Sequence, residues 1–199
     1  MKKGIIGAGG FGREVYSGLD NKEQIDTVFF VDDKYWYENN NKILPISNFD
    51  PEEYEVVVAV GNPADRQKIV ESLPLTTTFF TYIHSSVLLL DTSIKIGEGS
   101  IICAGSILTT NIKIGKHCHL NLHSTIGHDT TIGEYFTTAP GVKISGNCTI
   151  GNNVYFGTNS SIKEKLTVCD NVTIGLNGGV VKNINESGTY VGLPAKKLV

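Results

Sequence analysis

Ile112-Lys113-Ile114-Gly115-Lys116-His117-Cys118-His119-Leu120-Asn121-Leu122-His123-Ser124-Thr125-Ile126-Gly127-His128-Asp129-Thr130-Thr131-Ile132-Gly133 returns an apolar residue at every sixth position, and glycine often follows it. Extending the step of six in both directions runs from Ile96 through Ile102 and Leu108 to Ile174 and Val180. Fourteen of these fifteen positions are aliphatic or Phe, with Thr138 the exception. With 40% hydrophobic content, chance would supply about six. A second column lies two residues earlier and includes Ile112, Cys118, Ser124, Phe136, Val142, Cys148, Val154, Leu166 and Val172, mostly small or apolar. Neither the 3.6 period of a helix nor plain alternation along a strand produces this pattern. A parallel β-helix does, with one short strand and one turn per hexad and the aliphatic column pointing inward. The glycines of that pattern, such as Gly97, Gly115, Gly127 and Gly133, are expected at its corners. Thr138 breaks the inward column just before Ala139-Pro140-Gly141, so a local distortion is expected there.

The first 83 residues follow another rule. Apolar runs Lys3–Ala8, Thr27–Val31 and Glu55–Val60 read as strands, with helix-compatible stretches to about Leu19 and over Ala64–Ser72. Thr78–Ile83 reads as a further strand leading into the repeats, and Tyr37–Ser47 as a loop. Strands alternating with helices imply a small α/β unit with a parallel sheet. The expected division is residues 1–83, an α/β nucleotide-binding domain, and 84–199, a β-helix with a C-terminal tail.

The 199 residues allow one domain or two small ones. A net charge of -3 offers no basic field for a phosphate backbone, so nucleic acid is not an expected partner. No run of about 18 apolar residues exists to cross a membrane, and the N-terminus lacks a signal-like apolar stretch, which suggests the cytoplasm. Cys103, Cys118, Cys148 and Cys169 lack metal-finger spacing, so no metal is expected.

Gly7, Gly9 and Gly12 fit GxGxxG after a strand and at the start of a helix, with Asp32 twenty residues beyond Gly12. Glycines let a backbone approach a phosphate, and a helix N-terminus offers free N–H groups. Some eighty residues make only about half of a dinucleotide fold, so the loop points to a nucleotide-linked anion rather than NAD.

A short glycine-loop α/β domain followed by hexapeptide repeats resembles the hexapeptide-repeat sugar acyltransferases of the sialic-acid O-acetyltransferase type, and within that group the nucleotide-sugar N-acetyltransferases acting on bacillosamine precursors or perosamine. The resemblance spans the chain from Gly4-Ile5-Ile6-Gly7-Ala8-Gly9-Gly10-Phe11-Gly12 to Gly192-Leu193-Pro194-Ala195-Lys196. It implies a left-handed, three-sided β-helix with 18 residues per coil, acetyl-CoA as acyl donor and a homotrimer. It implies a nucleotide-sugar site at Gly9, Gly10, Phe11, Asp32 and Asp33, completed by Gly61 and Asn62. Asn121 matches an asparagine near the acceptor amine, and otherwise reads as a turn residue. Arg66 reads either as a phosphate partner or as a solvated helix cation. Coenzyme contacts are implied at Gly146, Gly157, Thr158, Gly175, Pro194 and Lys196. Some relatives carry a second histidine nine residues after the base, where this chain has Thr137.

Transfer of an acyl group to an amine requires a base for the amine proton, and imidazole suits that task near neutral pH. Of His84, His117, His119, His123 and His128, the family's general base matches His128 in Ile126-Gly127-His128-Asp129, with Asp129 as its orienter. His84 reads as structural, and His123 stays open as an alternative base. Neighbouring strand residues point to opposite faces, so Asp129 reaches the ring only if the chain turns there. Gly146, 18 residues after His128, would lie one coil above, about 4.8 Å away, and supply an oxyanion N–H. The expected activity is acetyl-CoA-dependent N-acetylation of a nucleotide-linked 4-amino-deoxy sugar by direct transfer. O-acetylation of a sialic-acid-type sugar and a non-catalytic trimeric scaffold are the alternatives.

Overall fold

The computed structural model describes residues 1–37 and 40–198; Glu38 and Asn39, within the expected Tyr37–Ser47 loop, lie outside the described residues. The N-terminal sheet contains β1 (Lys2–Ile6), β2 (Val28–Val31), β3 (Ile43–Pro45), β4 (Tyr54–Val58) and β5 (Thr78–Phe79). Their order is β3-β2-β1-β4-β5, and all are parallel. The chain leaves β1 for β2 on one side and later reaches β4 on the other. The crevice at the carboxyl ends of β1 and β4 is therefore the place where such sheets bind ligands.

Three elements differ from expectation. The strand expected over Thr78–Ile83 is split: Thr78–Phe79 closes the N-terminal sheet as β5, whereas Tyr82–Ile83 pairs in the solenoid with Ile101–Ile102. β3 falls inside the predicted loop: Ile43-Leu44-Pro45 is short and flanked by polar residues, and its pairing to β2 is what makes it a strand. Helix α2 (Asn21–Asp26), between α1 (Gly10–Ser17) and β2, is started by a capping box, with the Asp20 carboxylate accepting from the Lys22 and Glu23 N–H groups and Glu23 reaching back to the Asp20 N–H. Such reciprocal caps satisfy donors that the first turn leaves free. Helix α3 (Pro63–Ser72) follows β4.

The rest is a left-handed parallel β-helix. Two-residue strands stack into three flat sheets, and residues 18 apart pair: Ile107 with Thr125, Lys113 with Thr131 and His119 with Thr137. We call the faces holding these three pairs the first, second and third. In the opening coil the spacing is 19, as in Leu88 with Ile107, because the corner at 90–94 carries an extra residue. The inward columns form one continuous core, with Ile102, Leu108, Leu120, Ile126 and Phe156 fully buried. Thr138 causes no distortion: it pairs in register with Leu120 and Phe156, and its buried hydroxyl bonds the Asn121 N–H and Ser124 Oγ.

The glycines of the repeat act differently from expectation as well. The left-handed backbone sits two residues later, at Asn111, His117, His123, Asp129, Tyr135, Asn147 and Asn153 among others. Asparagine and aspartate tolerate that region best. At Gly115 a Cβ would lie 2.6 Å from the Gly133 carbonyl carbon, so the glycine column serves the close approach of successive coils.

The sheet rests on the third face. Tyr82–Ile83, the first solenoid strand, pairs with Ile101–Ile102, and Ile101 and Cys103 share a core with Ile5, Val15, Phe29 and Val57. Arg66 of α3 locks the contact. It is fully buried, and its guanidinium donates to the carbonyls of Val60 (2.6 Å), His117 (2.8 Å) and Tyr135 (2.8 Å), to Thr137 Oγ1 (2.7 Å) and to His119 Nδ1 (3.1 Å). Neither expected role for Arg66 holds, because it is neither solvated nor open to a phosphate. Burial lowers its pKa to about 10, which leaves it a cation at neutral pH. Among the described residues no helix is long and apolar enough to cross a membrane.

Candidate active site

The corner between the first and second faces carries His128. Ile126 anchors it in the core, and Asp129 takes φ +58°, the left-handed turn that lets neighbouring side chains meet. The His128 Nδ1 and Asp129 Oδ2 lie 2.7 Å apart, and the two side chains are 55% and 45% exposed. A carboxylate can only accept, so Nδ1 carries the hydrogen and Nε2 presents a lone pair. The Asn111 amide, and then His128, hold the Asp129 carboxyl below its usual range. Gly146 lies against the ring from the next coil, where a Cβ would come 2.7 Å from Nε2. The Gly146 N–H has no acceptor among the described residues.

The remaining histidines are placed elsewhere. His123 is exposed at another corner, with His123 O accepting from Lys143 Nζ. His84 closes a local turn with Ser86. His117 and His119 are buried beneath the N-terminal domain. Burial pushes His117 down to about 4 and His119 well below its ordinary value, the Arg66 charge adding to both.

The glycine loop opens on a cleft of about 750 Å³ at the ends of β1 and β4, lined by Gly7, Gly9, Asp32, Tyr35, Val60 and Asp65 among others. A Cβ on Gly12 would strike the Gly7 carbonyl, so the loop also needs glycine for its own close turn. Asp32 faces the cleft and pairs with Lys34 at 2.9 Å. Asp33 does not line it; its Oδ1 accepts the Ser47 N–H at 3.1 Å. Asn62 caps α3, accepting the Asp65 N–H. Gly10 lines a neighbouring groove with Tyr82 and His84.

Phe11 and Gly61 line a separate cleft of about 280 Å³ against the third face, together with His119, Asn121, Tyr155 and Thr158. Asn121 Oδ1 accepts the Leu122 N–H, the turn role foreseen as its alternative. Thr137 is committed to Arg66. Gly157, Thr158 and Gly175 mark the corner between the third and first faces, and Pro194 and Lys196 border a cavity of about 390 Å³ with Lys182 and Tyr190. A single chain therefore joins His128, Asp129 and Gly146, and separately joins Gly9 with Asp32. The His128 corner is the prism edge opposite the face that carries the N-terminal domain, so the two groups stay apart.

Three family profiles match: the PglD N-terminal domain over residues 4–73, the bacterial transferase hexapeptide (six repeats) over 129–164 and the hexapeptide repeat of succinyl-transferase over 85–110. WeeI from Acinetobacter baumannii AYE is 32% identical with a TM-score of 0.87, covering 98% of this chain and 99% of that one. The chain belongs to the hexapeptide-repeat acetyltransferases that carry a PglD-type N-terminal domain. The acetyltransferase domain of PglB from Neisseria gonorrhoeae FA1090 is 27% identical with a TM-score of 0.86 and full coverage of both chains. That domain also has a solved complex with acetyl coenzyme A. PerB from Caulobacter crescentus, solved with CoA and GDP-perosamine, is 21% identical with a TM-score of 0.86, covering 100% of this chain and 98% of that one, and shares the fold. A search of curated proteins found no match. The chain combines a glycine-loop crevice with a solenoid edge that bears a half-exposed histidine. Among the described residues no group of three or more His, Cys, Asp or Glu could hold a metal ion.

Proposed function

We propose that this acetyltransferase moves the acetyl group of acetyl-CoA to the amino group of a nucleotide-linked 4-amino-deoxy sugar, with His128 as general base. The observation that carries this reading is the half-exposed His128 ring, whose Nε2 is freed for proton capture by the hydrogen bond from Nδ1 to Asp129. The amine nitrogen attacks the thioester carbonyl carbon while His128 Nε2 takes a proton from it. The resulting oxyanion meets the unpaired Gly146 N–H. The C–S bond then breaks, the carbonyl re-forms, and the coenzyme sulfur leaves and receives the proton from the imidazolium. Asp129 stabilises the positive ring throughout.

The nucleotide lies in the crevice of Gly7, Gly9 and Asp32, where α1 presents its N-terminal N–H groups. Gly157, Thr158, Gly175, Pro194 and Lys196 border the coenzyme, largely through main chain. His128 and the crevice occupy opposite sides of one prism, which supports a homotrimer in which the base of one copy faces the sugar held by the next. The four free cysteines fit a cytoplasmic enzyme.

The test is thiol release from acetyl-CoA across UDP-, dTDP- and GDP-linked 4-amino sugars, with free and CMP-linked sialic acid included. Turnover on an amino sugar that His128→Ala abolishes supports the proposal. Release on sialic acid alone would replace it by O-acetylation, and release that survives His128→Ala would remove His128 from the mechanism.

A further inference from the structure

Asp129 has two carboxylate oxygens, and they are divided between two partners. Oδ2 faces His128 Nδ1 at 2.7 Å, whereas Oδ1 accepts from Asn111 Nδ2, also at 2.7 Å. Asn111 stands 18 residues earlier, at the same corner of the preceding coil, and shares the left-handed backbone with φ +50°. Its own N–H donates to Ser93 Oγ at 2.9 Å, which ties it to the coil below. We propose that Asn111 is a positioning residue for the acyl transfer, the third member of an Asn111–Asp129–His128 relay that fixes the imidazole with Nε2 free.

The physics follows from what Asp129 lacks without Asn111. Its carboxylate is about half exposed, so water competes for both oxygens, and rotation about the Cβ–Cγ bond would turn the lone pairs away from the ring. A second donor on Oδ1 removes that freedom and directs Oδ2 at Nδ1. An amide suits the position because it donates without neutralising the carboxylate, whose charge is needed when the ring becomes an imidazolium. A lysine or arginine there would compete with His128 for the same charge. Coil stacking brings the two corners to roughly 4.8 Å, within reach of a short side chain, and asparagine accepts the corner φ at little cost. Asn147, the residue above, approaches His128 Nδ1 only to 3.5 Å, so the organised donor to the carboxylate comes from below.

The inference rests on His128 being the base, so the experiment separates the two. Asn111→Gly keeps the left-handed corner and deletes the amide; Asn111→Asp keeps the shape and sets a second carboxylate against Asp129. We expect kcat to fall about tenfold in Asn111→Gly and further in Asn111→Asp, with KM for both substrates within about twofold of wild type. In an Asp129→Ala background, Asn111→Gly should cost nothing more. Long-range ¹H–¹⁵N spectra of the His128 ring should show the Nδ1–H form in wild type and a tautomer mixture in Asn111→Gly. If His128→Ala keeps its turnover, the reading of the base fails. If His128→Ala is inactive but Asn111→Gly retains wild-type kcat and tautomer, or loses as much activity without Asp129 as with it, the relay is overturned while the base stands.

Discussion

Two histidines nine positions apart show how one solenoid makes opposite chemistries from the same side chain. Each engages a charged neighbour through Nδ1: His128 meets the Asp129 carboxylate at 2.7 Å, and His119 meets the Arg66 guanidinium at 3.1 Å. The carboxylate accepts, which places the hydrogen on Nδ1 and frees Nε2 at an open edge. The guanidinium donates, which places the lone pair on Nδ1 and the hydrogen on Nε2, buried and without a partner among the described residues. The sign of the neighbouring charge therefore selects the tautomer, and the tautomer separates the proposed base from a structural acceptor.

The sharpest test of that contrast is to remove each ring. His128→Ala should lower kcat by about 10² to 10⁴-fold and leave the melting temperature within a few degrees of wild type, since the side chain is mostly in water. A comparable loss of kcat in His119→Ala, with the fold intact, would erase the distinction between the two histidines.

Next in size is Arg66→Met. It removes the cation and leaves the Val60, His117 and Tyr135 carbonyls and the Thr137 hydroxyl without their donor. Buried hydrogen bonds to charged groups contribute strongly, so a loss of about 3 kcal/mol is expected in chemical denaturation. Unchanged stability would mean that the guanidinium costs as much to bury as its acceptors return.

The two regions were unequally legible in the sequence. The His128 edge belongs to the repeat: once Ile126 and Ile144 are read as inward, the corner residues between successive faces follow from counting, and Gly146 falls above His128. Arg66 carries no such signal, because its solenoid partners are 51 to 71 residues away and no local pattern links them. β3 was hidden for a similar reason, since pairing rather than composition makes Ile43–Pro45 a strand. The capping box at Asp20 and Glu23 was readable, as was the period-six column of left-handed corner residues through Asn111, Asn147 and Asn153. The glycines beside that column serve coil contact, whereas the asparagines carry the turn.

The buried histidines also predict an acid limb of stability. Both are neutral when folded, whereas an unfolded histidine titrates near 6.5. Below that pH the unfolded chain binds more protons, so stability present at neutral pH is lost as pH falls toward about 4, where folded His117 protonates. Each buried imidazole contributes a slope of at most about 1.4 kcal/mol per pH unit in this window. Denaturation midpoints measured between pH 7 and 4.5 should fall, and His117→Phe should flatten the decline. An unaltered slope in that variant would place the titrating group elsewhere.

The smallest effect divides stability from activity. Gly146 has no left-handed backbone, so alanine fits its conformation, and a reduced unfolded-state entropy should make Gly146→Ala as stable as wild type or more stable by about 0.5 kcal/mol. The new methyl would sit 2.7 Å from His128 Nε2, too close for the ring to stay. Because the ring is largely in solvent it can swing aside at little energetic cost, but that movement takes Nδ1 from Asp129 and Nε2 from the acceptor amine. A fall in kcat of about tenfold is expected, together with the stability gain. If Gly146→Ala loses stability instead, the ring is held more firmly than its exposure implies, and the open edge resembles the buried one more closely than their tautomers suggest.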